Sequence, residues 1–272
     1  MISPGIIGAA SLASVISGVP FEHDENTLWW NFTNALNTVE PTGNDTIAYV
    51  LERVAGVSNL VQSTKDLQPL VSANGANFNK DTGRQLAVET VTGITNGKSG
   101  WYLACNVNCA TGDSNILSIA RPASSAASRG QVYITSSRNF ALKAASNDGA
   151  TTAFVGYSSA LTLGIWYTLE MQFRVVAGVG ELTIWINGVQ HGDVLNDDGV
   201  TTTTGSVALA VDNNPAFIDF PASNPSEIVV GNLSSTDIDS LDGELQHLVF
   251  YNGIPTSTAR DSIRAYLAGE RP

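Results

Sequence analysis

The chain has 272 residues, of which 43% are hydrophobic, with 25 glycines and 10 prolines spread over many turns. That apolar content supplies a packed core and excludes wholesale disorder. The formal charge is −12: residues 181–272 carry thirteen acids against three bases, and no Lys or Arg occurs from Val175 to Ala259. A surface of that sign repels phosphate backbones and anionic lipid, which excludes nucleic acid and membrane surfaces as main partners.

In chain order, Met1 to Phe21 contains no charged side chain. Pro4 and Gly5 stand where a secretory signal needs its basic region. The apolar run is broken by Gly, Ser and Pro and is too short to cross a bilayer comfortably. It reads as an extended arm over 1–45 that must pack on its own subunit or on a neighbour. Its candidate contacts are Ile6, Ile7, Leu12, Val15 and Ile16, with Trp29 and Trp30 further along. Residues 46–272 read as one sandwich domain. Ile47, Val50, Leu51 and Val54 have helical spacing in a stretch rich in β-branched residues, so helix and strand both stay open there.

From Arg84 onward the alternation is that of strands. Trp101, Leu103, Cys105 and Val107 share one face, and the runs from Asn115, Gln131 and Phe140 follow between polar turns. Cys105 and Cys109 lie about 13 Å apart if their strand is extended. They bridge only if the chain folds back, since bridged Cα atoms sit within about 7 Å. A buried free Cys105 is the default. In Trp166 to Val176, apolar Leu169, Met171, Phe173 and Val175 alternate with Thr168, Glu170, Gln172 and Arg174. Folding about Ala177 to Gly180 pairs Val175 with Leu182, Phe173 with Ile184 and Met171 with Ile186, with all apolar side chains on one face. Asn187-Gly188 is a strong hairpin-turn signal. A last strand runs from Glu244 to Tyr251, with His247 alternating with Leu245 and Val249. Ser257 then caps a short helix with Ala259, Ile263, Tyr266 and Leu267 on one face, stopped at Gly269. Many short strands and one terminal helix predict an all-β sandwich.

The Trp-led strand at Trp166, the phrase Gly180-Glu-Leu-Thr-Ile-Trp-Ile-Asn-Gly, then Ile228-Val-Val-Gly-Asn and Leu241-Asp-Gly-Glu-Leu-Gln-His-Leu-Val-Phe-Tyr-Asn-Gly resemble the laminin-G-like branch of the concanavalin A-like lectin/glucanase superfamily. The resemblance covers about 85–272 and implies a two-sheet antiparallel jelly roll with a concave face. It also implies glycan or protein binding, in some members beside calcium or with polysaccharide hydrolysis. Single sandwiches of this kind look like phage head decorations, spikes or tail proteins. The expected protein is therefore a non-enzymatic virion component, assembled in the host cytoplasm, whose partners are its own subunits, other virion proteins and surface glycans. A free-standing lectin-like module is the alternative, and a polysaccharide-degrading enzyme a third reading.

The residues themselves bear on three chemistries. Retaining glycosidases need two carboxylates about 5–5.5 Å apart, and the related glucanases place them as Glu-x-Asp-x-x-Glu, which this sequence lacks. Glu22-His-Asp-Glu has the wrong spacing, and His23, His191 and His247 are far apart, so no catalytic residues are expected. Calcium wants several oxygen ligands from one loop. Asp237, Asp239 and Asp242 offer acids at i, i+2 and i+5, although turn chemistry explains Asp equally well. For a glycan, the polar hairpin face offers Glu170, Gln172, Arg174, Trp185 and Asn187, with Trp185 set opposite Gln172. Ordinary cross-strand packing of Trp185 is the competing reading.

Overall fold

The computed structural model describes residues 19–33, 38–39, 45–54, 58–88, 100–120, 128–145, 152–176, 179–191, 194–196, 201–202, 206–208, 227–232 and 240–272. Those residues form two antiparallel sheets packed face to face, with one α-helix on the outer face of the first sheet. Five strands of that first sheet carry the argument below: β1 (Thr27–Asn31), β2 (Gly100–Cys109), β3 (Trp166–Val176), β4 (Val179–Ile186) and β5 (Gly243–Tyr251). They run side by side in the order β4, β3, β2, β5, and β1 pairs along the outer half of β5. The second sheet is built around Ser114–Ala120, Ser128–Ile134, Asn139–Ala145, Thr152–Ala160 and Glu227–Val230. The helix, α1, spans Ser257–Glu270. The expectation of an all-β, jelly-roll-like sandwich with a C-terminal helix holds.

The alternation places the core where the sequence indicates. Trp101, Leu103, Cys105 and Val107 of β2, with Leu169, Met171 and Phe173 of β3, point into the space between the sheets. Leu182 and Ile184 of β4 join them, and Ile116, Leu117, Val132 and Phe140 close the core from the opposite sheet. Cys105 and Cys109 are both free and buried on one extended strand, so no bridge forms. Burial pushes both thiols up, that of Cys109 to about 12.

The Asn187-Gly188 turn forms as expected, with φ of 53° and 80°. That is the left-handed pair a two-residue hairpin loop requires. The long hairpin keeps its faces but not its predicted register. Phe173 pairs with Leu182, Met171 with Ile184, and Val176 with Val179, a two-residue shift from the expected pairing. A shift of two preserves sidedness, so the hydrophobic pattern alone does not distinguish the two alignments.

The N-terminal boundary lies earlier than expected. Trp29 and Trp30 sit on β1, whose partner is β5. Successive strand residues face opposite ways: Trp30 enters the inter-sheet core, and Trp29 faces the helix. Both are buried, so they are structural parts of the sandwich rather than contacts of a projecting arm. Ile6, Ile7, Leu12, Val15 and Ile16 lie outside the described residues. The ambiguous stretch near Ile47 is extended, with a short strand at Tyr49–Val50.

The cap lies one residue before the expected one: Thr256 is N-cap, and its hydroxyl accepts from the Ala259 amide at 3.1 Å. Helix spacing then brings Ala259, Ile263 and Leu267 onto one buried stripe. Gly269 does not stop it. Ile263 and Leu267 of that stripe form a second, smaller core with Phe21, Trp29, Tyr102, Ala104 and Val249. Burying a side chain the size of Ile263 or Leu267 stabilises this docking by about 2 kcal/mol. Among the described residues, no helix is long and apolar enough to cross a membrane.

Candidate functional site

Period-2 alternation puts the polar residues of β2, β3, β4 and β5 on the outer face of the first sheet, where α1 lies. Asn106 is buried there and donates to the Leu267 carbonyl at 2.7 Å and to Gln246 Oε1 at 2.9 Å. Gln246 in turn donates to the Glu270 carbonyl at 2.9 Å. These carbonyls belong to the last turn of the helix: that of Leu267 also accepts from the Arg271 amide at 3.1 Å, and the sheet adds side-chain donors at the helix end, where carbonyls run short of intrahelical partners. Thr168 Oγ1 donates to Asn106 Oδ1 at 2.8 Å and orients that amide.

Glu170 is the charged centre of the face and is fully buried. Arg264 of α1 grips it with two bonds, Nε to Oε1 at 2.7 Å and Nη2 to Oε2 at 2.9 Å. The Tyr102 hydroxyl donates to Oε2 at 2.8 Å. The fork geometry of a guanidinium suits such a pair, and the third donor compensates the desolvated carboxylate. Hydrogen bonding to Glu170 raises the Arg264 pKa, and burial followed by the Glu170 charge raises that of Tyr102.

Trp185 lies opposite Glu170, not opposite Gln172 as expected, because of the two-residue register shift. It is 6% exposed, beneath the Arg260 guanidinium at 4.8 Å and that of Arg264 at 5.5 Å. Cation–π stacking on a closed face is its role. Gln172 is buried as well, and its Oε1 has no hydrogen-bond partner among the described residues. The expected glycan face is thus roofed by the helix. Trp185, Glu170 and Gln172 are interior residues, while Arg174 is exposed at one end and Asn187 at the other. Sequence periodicity identified the polar face but not its cover, because Arg260 and Arg264 meet it from the far end of the chain.

Where the helix meets the Asn187-Gly188 turn, an open groove of about 430 Å³ remains, lined by Thr168, Asn187, Gly188, Asp261, Arg264 and Ala265. Asn187 Oδ1 accepts from the Thr168 amide at 3.0 Å and from Arg271 Nη1. Arg264 Nη1 donates to Asp261 Oδ1 at 3.0 Å, and Asp261 is largely exposed. The groove therefore offers an amide, a carboxylate and a guanidinium that structural partners already fix, beside a small aliphatic wall at Ala265. Asn187 is the groove residue that strand alternation places among the candidate glycan contacts; Asp261 and Arg264 carry no local signal in the sequence.

Of the proposed calcium loop, Asp237 and Asp239 lie outside the described residues. Asp242 accepts from Thr111 Oγ1 at 3.0 Å, and its amide donates to Ser114 Oγ. Among the described residues, no group of three His, Cys, Asp or Glu side chains is placed to hold a metal ion. The histidines serve separate places: Nδ1 of His23 lies 2.9 Å from the Phe21 carbonyl, and His191 Nε2 accepts from the Ser159 amide at 3.0 Å. His247 is buried under the helix. A bulge between Leu245 and His247 breaks their alternation, so Leu245 turns into the main core while His247 sides with Val249.

No family model matches the chain, and no curated protein sequence matches it. Among solved structures it is similar to the Trypanosoma rangeli sialidase in complex with sialic acid, at 11% identity and a TM-score of 0.57, over 96% of this chain and 38% of that one. It is also similar to a GH54 α-L-arabinofuranosidase, at 11% identity and a TM-score of 0.53, over 83% of this chain and 51% of that one. The likeness is one of fold. The chain spans 38% of the length of the first and about half of the second.

Proposed function

We propose that this chain is a non-enzymatic glycan-binding sandwich whose binding site is the groove between α1 and the Asn187-Gly188 turn. The observation that carries the reading is that groove: its volume of about 430 Å³ falls in the range of ligand clefts. Its polar groups are also held in place before any ligand arrives. Planar amide, carboxylate and guanidinium groups pair with adjacent sugar hydroxyls, and preorganisation lowers the entropy cost of binding. The sequence resemblance to a lectin-containing superfamily agrees with this. The non-enzymatic part rests on the buried carboxylates: Glu170 is committed to Arg264 and Tyr102, and Glu52 accepts from the Trp29 and Val54 amides. The finer assignment, to the surface of a phage particle among its own subunits and other virion proteins, rests on the resemblance and on the uncharged first 21 residues.

The test is calorimetric titration of an oligosaccharide selected on a glycan array. Asp261→Ala removes an exposed carboxylate without touching the core and is expected to weaken binding about tenfold, the loss of one good hydrogen-bonded contact. Unchanged affinity in that variant would move the site elsewhere, and release of a shortened sugar during the titration would make the protein an enzyme.

A further inference from the structure

We propose that His247 is an acid-sensitive latch for the C-terminal helix: its protonation drives α1 off the first sheet and uncovers the polar face beneath. The imidazole sits on β5, fully buried, where the sheet meets the helix. Its ring centroid lies 5.4 Å from that of Tyr266 on α1 and 6.2 Å from that of Trp29 on β1. Neither ring nitrogen has a hydrogen-bond partner among the described residues. A neutral imidazole tolerates this apolar slot, but a cation there has no acceptor among the described residues.

The charged and titratable groups around the slot do not compensate it. On the helix these are Tyr266, whose own pKa burial and Glu270 push up to about 12, and Glu270 itself, which is exposed. Behind Trp29 stand Arg53, 6.0 Å from that indole, and Glu52, whose carboxylate accepts from backbone amides. His23 meets Phe21 edge-on. On β5, Glu244 precedes the slot and Tyr251 donates to Asp24. β2 contributes neutral Ala104 and Asn106. Burial alone lowers the His247 pKa to about 4. A histidine kept neutral in the closed state and free to charge in the open one stabilises closure fully above its ordinary value of about 6.5. That contribution falls progressively as pH drops from there towards 4. The helix is the element to yield, because it is a single layer held by a small core, the Arg264–Glu170 pair and the side-chain bonds from Asn106 and Gln246, whereas β5 is paired along its backbone on both sides by β1 and β2.

Release uncovers Trp185 and Glu170 together, the aromatic and charged side chains that Arg260 and Arg264 of α1 cover at neutral pH. The experiment is hydrogen-exchange mass spectrometry of the full chain at pH 7 and about pH 4, with rates expressed as protection factors. The latch requires protection over residues 257–270 to fall about a hundredfold while that of β2 and β3 holds. In His247→Phe, which fills the slot but cannot charge, the helix stays protected at both values. An equal fall in the variant, no fall in the native chain, or simultaneous loss over helix and strands would each overturn the proposal. Should His247→Phe not fold, NMR titration of the native histidine rings decides. His247 must then take up its proton in the same pH step that opens the helix, and a ring that stays neutral while the helix leaves overturns it.

Discussion

Glu170 shows how much one buried charge demands. It has no exposure, and Arg264 and Tyr102 supply three donors to its two oxygens. Arg264→Ala leaves the carboxylate buried and short of its cation, which is the costly way to break such a pair. We expect that variant to lose about 3 kcal/mol in urea unfolding. Glu170→Gln with Arg264→Met, which removes both charges, is expected to recover much of the loss. The cysteines give a second residue-scale prediction. Both thiols are buried and their pKa values are raised, that of Cys109 to about 12. The native protein should therefore resist iodoacetamide at pH 8 and take up two labels only in denaturant.

At the scale of elements, the strands and their facing were legible because alternation is a local property, as Leu169, Met171 and Phe173 against Glu170 and Gln172 show. The register of the hairpin was not legible: shifting Phe173 from Ile184 to Leu182 leaves every apolar side chain on the same face. The position of β1 was hidden for a different reason. Trp29-Trp30 is two adjacent aromatics with no alternation around them, and only the helix on one side and the second sheet on the other give both a buried place. Trp30→Ala should cost about 4 kcal/mol, as expected for a core indole, and a loss near zero would put β1 outside the sandwich. Gly231 is fixed by its turn: φ is +81°, and a Cβ there would stand 2.2 Å from the Phe78 ring. Gly231→Ala is expected to lose about 2 kcal/mol or more in thermal unfolding.

At the scale of the whole molecule, the described residues form a sandwich plus one helix layer, and the proposed function depends on that added layer. Alternation indicated a polar face on β3 and β4, and Glu170, Gln172 and Trp185 do share the outer side of the first sheet. What no local pattern shows is that α1, from the far end of the chain, roofs it through Arg260 and Arg264 and leaves a groove at its edge. In an acidic protein of net charge −12, that edge gathers Arg264 and Arg271 beside Asp261 and Asn187. Glycan-array binding by the native chain and by Ala265→Trp, compared at neutral pH, tests this account most directly. Ala265 is exposed on the groove wall, so an indole there should fill the groove without disturbing the core. The account predicts a defined set of bound glycans for the native protein and their loss in the variant. The same glycans retained by Ala265→Trp would contradict it.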